Sequence, residues 1–447
     1  MKKIIIYSIL GIIGLAMLPG CKKLDEVNTN PNQPLAVTPN VQLTATELQI
    51  GYTIGGDMSR FEGLMDQDLI ASPSARQFST YSQYIFQNAD FDQVWQNMYL
   101  SMNNLQDLYK TSSKANNYYY AGIAQVLEAY TLGMSTDVFN DMPYSQAFQG
   151  FSNLQPTFDK QQALYNNIQT LLANGITLLS KPSGGTLVPG ADDIIYGGSA
   201  GSWVKLAYAL EARFYLHIRK VDNTALAKAQ AALANGFASS ADDAYFNFST
   251  SNKGAGPWYQ FQQQRAGEFS FIQATAGQTL ITTGDPRLTS YIDTAQDGLG
   301  TFYQNPQSGV QIMTYAEQLF IAAEIAYLNN DKAGAATNSN NGAIESVTAI
   351  TGAAPSGTWA TTYTAETAGT ITLEKIMNQK YLALYLNPES FTDWRRTGFP
   401  TLVAYSGNVT NGVIPRRFLY SETETERNTH TAAEGNIQIT GKVWWDN

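Results

Sequence analysis

Cysteine is almost missing from this chain: Cys21 is the only one in 447 residues. A disulfide framework within the chain and any Cys-rich zinc site are thereby excluded. Two histidines, His217 and His430, leave little for a His-based metal centre. Charge is scarce as well. Asp, Glu, Lys and Arg make up 14% of the residues, roughly half of the ~25% usual in soluble domains. The surface must therefore be largely amide, hydroxyl, glycine and tyrosine. With 27 Lys+Arg against 37 Asp+Glu the net charge is -10, which gives phosphate backbones no footing and removes nucleic acid from the expected partners. Walker A, dinucleotide-binding, HExxH and EF-hand motifs are all lacking. No cofactor and no metal are expected. Apolar residues are not scarce: at 44% they suffice for a large buried core.

The longest apolar run lies at the N-terminus. Lys2 and Lys3 precede Ile4 to Leu18, about 15 residues where a bilayer span needs ~20, so residues 1–20 read as a signal peptide. The run ends in Leu18-Pro19-Gly20-Cys21, which resembles a bacterial lipobox, although Pro19 stands where Ala or Ser is commoner. Cys21 is the expected lipidation site, and several acyl chains at ~0.8 kcal/mol per buried CH₂ would anchor the protein to a membrane. Asp25-Glu26 just beyond resembles a surface-export signal of lipoproteins, and the Asn/Pro-punctuated run 28–34 reads as tether. The expected organisation is a signal peptide (1–20), a lipidated tether (21–40) and one large domain (41–447).

Helical periodicity dominates that domain. Phe91, Val94, Trp95, Met98, Met102, Leu105 and Leu108 recur at three and four residues, as in an amphipathic helix. The same pattern predicts helices over 118–134, 158–179, 202–218, 315–328 and 373–386, with Ser202 as the N-cap of the 202–218 helix and Asn387-Pro388 stopping the last. Tyr120/Ile123/Ala124/Leu127, Trp203/Leu206/Ala207/Leu210 and Leu319/Ala322/Ala323/Ala326 share one spacing. It resembles the first helix of a tetratricopeptide repeat, where a small residue admits a neighbouring helix. The unequal intervals between copies fit ordinary amphipathic helices equally well. Long polar insertions are expected at 70–88, 181–201, 249–271, 293–309, 329–370 and 406–415.

Gly197-Gly198-Ser199-Ala200-Gly201 satisfies G-x-S-x-G between Ile194-Ile195-Tyr196 and a helix, the setting of a nucleophile elbow. A serine there needs a histidine. His217 lies in the following helix, poorly placed to reach back, so a flexible loop leading into that helix is the better reading. A carboxylate pair for glycoside hydrolysis leaves no local signature, and nothing in the sequence argues for catalysis.

Aromatics in polar loops are the conspicuous surplus. The loop 71–84 carries Arg76, Tyr81 and Tyr84 among serines and glutamines; 252–271 carries Trp258 and Tyr259 before Gln260; Phe302-Tyr303 precedes Gln304-Asn305. A sugar offers an apolar C–H face to a ring and hydroxyls to Asn, Gln, Arg or Asp. Tyr and Trp suit peptides as well. Arg76, Tyr81, Tyr84, Trp258, Tyr259, Phe302 and Tyr303 are the candidate ligand-binding residues.

Several further stretches fall in one order: the lipobox, Thr136-Asp137-Val138-Phe139-Asn140-Asp141-Met142-Pro143-Tyr144, Asp193 to Gly198 leading to Trp203, Asp285-Pro286-Arg287-Leu288, Met313-Thr314-Tyr315-Ala316-Glu317, Gln379-Lys380-Tyr381, Asp393-Trp394-Arg395-Arg396-Thr397-Gly398 and Ile414-Pro415-Arg416-Arg417-Phe418. Together they resemble the SusD/RagB family of nutrient-binding outer-membrane lipoproteins, with Asn140 standing where the family favours Gly. The resemblance implies a mainly α-helical fold, with tetratricopeptide-like hairpins on one side and a loop-rich ligand face on the other. It implies no catalysis. It also implies a surface lipoprotein that captures oligosaccharide, or peptide as the alternative, for a SusC-like TonB-dependent transporter. A surface glycoside hydrolase is the remote third reading. Arg395, Arg396, Arg416 and Arg417 are expected to hold the C-terminal segment through carboxylates and carbonyls.

Overall fold

The structure, a computed structural model, describes residues 37–75, 77–251 and 253–446. The signal peptide, Cys21, most of the tether and Arg76 lie outside the described residues. Among the described residues the first helix is α1 (Pro39–Thr53), which runs into a π-helical turn, Ile54–Met58, before α2 (Ser59–Met65). The compact unit covers Pro39–Asn447.

A run of hairpins follows: α3 (Asp92–Lys114), α4 (Tyr118–Phe139), α5 (Gln161–Leu179), α6 (Ala200–His217) and α7 (Ala225–Leu233). Each packs on the next, and α1 packs on α3. Close approach is set by small residues. A Cβ on Gly133 of α4 would overlap the Phe214 ring of α6, and one on Gly122 would come within 2.6 Å of Leu179. These glycines lie outside the large-small spacing read from the sequence, and they let neighbouring helices approach closely.

The second half is shorter-pieced: α8 (Pro257–Arg265), α9 (Thr275–Thr283), α10 (Leu288–Tyr291), α11 (Tyr315–Leu328), α12 (Lys332–Thr351), α13 (Gly357–Tyr363), α14 (Leu373–Ala383), α15 (Glu389–Thr397) and α16 (Glu422–Arg427). Among the described residues six strands, β1 (Ile70–Ala71), β2 (Ala244–Phe246), β3 (Phe269–Ser270), β4 (Ile292–Asp293), β5 (Gly298–Leu299) and β6 (Val310–Met313), pair antiparallel as β1–β3, β2–β6 and β4–β5. They tie loops to the helical frame and make no larger sheet.

Three expectations need correction. The stretch 329–370 is not an insertion: α12 and α13 fill much of it, and α12 packs Ala335, Ala336 and Ala343 against Phe320 and Ala323 of α11. The insertion 249–271 likewise contains α8. Helix α6 begins at Ala200 with Ser199 as its N-cap, not Ser202, and the two hydroxyls bond each other at 2.8 Å.

The motif arginines are buried or nearly so. Arg395 donates to the carbonyls of Asp137 and Arg416 at 2.5 and 2.9 Å. Arg416 pairs with Asp446 at 2.5 Å, and Arg417 donates to the carbonyl of Phe139. Arg396 instead joins Glu324 of α11 to Asp393 of α15, at 2.5–2.6 Å from Glu324. Three of the four thus fasten the C-terminal segment to α4 and α15, while the fourth locks two helices together.

Candidate functional site

The hollow begins with an interruption in a helix. Gly55 and Gly56 break the passage from α1 to α2, with Gly56 at φ -106, ψ -111 inside the π-helical turn. Only a glycine fits at 55, because a Cβ there would overlap Val310 and crowd Pro257. Short π-helical segments of this kind recur at functional sites. The turn sets Tyr52 and Asp57, and then Arg60 of α2, around one opening.

Helix α8 supplies the facing wall. Pro257 starts it at a position where a missing N–H costs nothing. Pro257, Gln260, Phe261, Gln264 and Arg265 follow at spacings of three and four, so they share one face. Gln77 and Phe78 close the third side. The result is a hollow of ≈ 290 Å³.

Its walls are held in place by their own bonds. The Tyr52 hydroxyl donates to the carbonyl of Ala255 at 2.9 Å, and Gln260 Nε2 donates to the same carbonyl at 2.7 Å. Arg60 is paired with Asp57, and its guanidinium lies 4.8 Å over the Phe261 ring. Burial lowers the Arg60 pKa against the pull of Asp57, and Arg265 adds to the lowering. Arg60 Nε is buried with no hydrogen-bond partner. Arg265 donates to the Gln77 side chain, and Phe78 meets Phe261 edge-on at 5.9 Å. Ring faces, one carboxylate, two guanidinium groups and three amides thus surround a space open to solvent. That set can stack on an apolar face and hydrogen-bond a polar rim.

The sequence-derived residues lie beside this hollow rather than in it. Trp258 is 3% exposed, and its indole N–H donates to Ser59 Oγ at 3.1 Å. Tyr84 is 1% exposed, 5.8 Å from Tyr405. Tyr81 stacks on Phe86 at 4.8 Å and donates to Asp90 at 2.5 Å. Tyr303 is buried with its hydroxyl on the carbonyl of Tyr385 at 2.8 Å. Each of these four rings is packed against protein neighbours and none lines the hollow. Trp258, Phe302 and Tyr303 do converge, on a cavity of ≈ 30 Å³, room for about one water. Tyr259 is half-buried on α8 and does not line the hollow. Arg76 adjoins Gln77 but falls outside the described residues. Tyr52, Asp57 and Arg60 line the hollow without being among the sequence-derived candidates; the Gly55-Gly56 pair inside a helical stretch is the signal that marks their neighbourhood.

The G-x-S-x-G stretch resolves into a turn, not a strand-turn-helix elbow. Asp193 accepts the backbone N–H groups of Ile195, Tyr196 and Gly198 and the Trp203 indole N–H at 2.7–3.0 Å. Gly197 and Gly198 adopt φ +59 and +84, as that wrap around a carboxylate requires. His217 is buried at the far end of α6, 2.7 Å from Glu389. Among the described residues no group of three or more His, Cys, Asp or Glu is placed to hold a metal ion.

The frame is mainly α-helical and carries an open hollow walled by rings and amides. The family model SusD-like, described as starch-binding and associating with outer membrane, matches residues 31–304 and 299–421, and the chain belongs to that family. Among solved structures it is similar to a SusD/RagB family protein from Bacteroides thetaiotaomicron, at 21% identity and TM-score 0.77 over 92% of this chain and 99% of that one. A chitin-binding SusD homolog from Flavobacterium johnsoniae gives 20% and 0.77 over 92% and 99%. A further chitin-binding protein gives 24% and 0.75 over 92% and 100%. No curated protein matches the chain.

Proposed function

We propose that this protein is a lipid-anchored surface receptor that captures oligosaccharide in the hollow between α1, α8 and the 77–78 loop. It passes the ligand, chemically unaltered, to a SusC-like TonB-dependent transporter. The observation that carries the reading is the meeting of Tyr52, Phe78 and Phe261 with Asp57, Arg60, Gln264 and Arg265 around one open space of ≈ 290 Å³. Membership of a family described as starch-binding supports the ligand class. The chitin-binding relatives make chito-oligosaccharides a natural first probe beside malto-oligosaccharides.

Titration calorimetry of the two oligosaccharide series tests this. Phe261→Ala and Arg265→Ala are each expected to weaken binding by about 1–3 kcal/mol, the usual cost of losing an anchor. Arg265 is exposed, so its loss should leave the melting temperature within a degree or two of the wild type. If neither series binds while peptides do, the cargo is peptide and the sugar reading is lost.

The anchor rests on Cys21. Cys21→Ser is expected to move the protein from the membrane fraction to the soluble one, read by immunoblot after ultracentrifugation. Sedimentation with membranes despite the substitution would remove the lipid anchor from the reading. The transporter partner is tested by co-isolation of a tagged chain from detergent-solubilised outer membrane.

A further inference from the structure

A second hollow, of ≈ 210 Å³, lies between α12, α13 and α14 and shares no lining residue with the first. It is lined by Ser339, Thr362, Tyr363, Glu366, Lys375, Asn378 and Gln379. Its walls are fixed. The backbone of Glu366 exchanges two bonds with the Asn340 side chain, at 2.9 and 3.0 Å. Lys375 pairs with Glu366 at 2.8 Å and also donates to the carbonyl of Thr370. Gln379 Oε1 accepts from Arg287, itself locked to buried Asp285 at 2.7 Å and to Ser346. Tyr363 is braced by Trp359, 5.2 Å away. Asn378 carries an Oδ1 that is buried with no hydrogen-bond partner.

We infer that this hollow is a second binding site, for a single neutral pyranose. It is the smaller of the two hollows, so a single ring rather than a chain is the ligand inferred for it. Tyr363 offers an aromatic surface for the C–H face of a sugar. The amides of Asn378 and Gln379 and the hydroxyls of Ser339 and Thr362 match a rim of hydroxyl groups. The one cation and the one carboxylate satisfy each other, which leaves no net charge to select an ionic ligand such as an amino acid. The lining is already bonded in position, so binding costs little reorganisation.

The site is tested on the full mature chain by ¹H–¹⁵N correlation spectra, following the side-chain amides of Asn378 and Gln379. The probes are methyl β-D-glucopyranoside, methyl β-D-galactopyranoside and N-acetylglucosamine. At least one is expected to shift both amides with a millimolar Kd, the range for so small a ligand. Tyr363→Ala is expected to weaken that response about tenfold. Thr362→Arg, at an exposed position on α13, blocks the opening without touching the core and should abolish it. Arg265→Ala, in the first hollow, should leave these shifts as they are, so failure here and failure of oligosaccharide binding there are read separately. No shift with any of the three sugars overturns the inference. So do shifts that survive Thr362→Arg, or that vanish only with Arg265→Ala.

Discussion

Arg213→Met is expected to cost about 3–5 kcal/mol of folding stability, the range for removing one partner of a buried ion pair. Arg213 sits on α6 with its side chain 1% exposed. It donates to Glu317 of α11 at 2.5 and 2.8 Å and to the carbonyl of Ile312 in β6 at 2.7 Å, and Glu389 of α15 lies 3.8 Å away. Burial opposes the guanidinium charge, but Glu317 and Glu389 outweigh it and raise its pKa above the ordinary value. Methionine keeps much of the bulk and removes the charge. Two buried carboxylates then face each other with Lys380, 3.8 Å from Glu317, as the remaining cation near that carboxylate. Burial already pushes the Glu317 carboxyl up even with Arg213 present, so without it that carboxyl must take a proton or lose solvation without compensation. The double variant Arg213→Met/Glu317→Leu should recover part of the loss, because an apolar pair of similar volume carries no desolvation cost. Urea midpoints of the wild type, both single variants and the double variant give the coupling directly. A single-variant loss below about 1 kcal/mol would mean that this network does not hold the α6, α11 and α15 junction together.

That junction shows where sequence reading stops. Helix α11 was legible to the residue: Thr314 caps it by accepting the Glu317 N–H at 3.2 Å, and Tyr315–Leu328 carries the apolar spacing. Helix α3 was legible for the same reason, its buried face falling at Val94, Trp95, Met98, Met102, Leu105 and Leu108. Helix α12 was not. Its buried residues are Ala335, Ala336, Ser339, Gly342, Ala343, Ser346 and Val347, small groups that let α11 approach closely but give no large-apolar stripe. Charged residues mislead in the opposite sense. Arg213 and Glu317 look like solvated helix positions until a partner 104 residues away neutralises each of them. The site was half legible for a related reason. The two aromatic, amide-rich segments do converge, but most of their rings pack inward, and Phe78 does so while one side of it lines the hollow. Trp258 and Tyr81 are buried, while Phe261, Gln260 and Gln77 line the opening. Composition marks such loops; only the direction of each side chain separates anchor from contact.

The wild-type protein is expected to lose about 3 kcal/mol of stability relative to a His217→Gln variant as pH rises from about 6 to about 10. His217 is buried at the end of α6, with Nε2 2.7 Å from Glu389 and Nδ1 3.1 Å from the Tyr165 hydroxyl and 3.3 Å from Asp137. Tyr165 in turn donates to Asp137. Burial alone would lower the imidazole pKa, but the carboxylates of Glu389 and Asp137 outweigh it, and the pKa is pushed up to about 9. The ordinary value of 6.5 applies to the unfolded chain. Because the folded value is the higher, the native state holds the proton more tightly. The contribution is complete below about pH 6.5 and is lost as pH climbs through about 9. Glutamine cannot titrate, so its stability serves as the reference. Asp66, whose carboxyl burial pushes up to about 7 against a hydrogen bond from Ser390, titrates in both proteins and cancels in the difference. Urea unfolding of the two proteins across that range measures the effect, and a stability difference that stays flat would mean that His217 is neutral in the folded state. Where the expected loss is measured, the imidazolium is the charge that permits Asp137 and Glu389 to be buried together, a task that a neutral ring cannot perform.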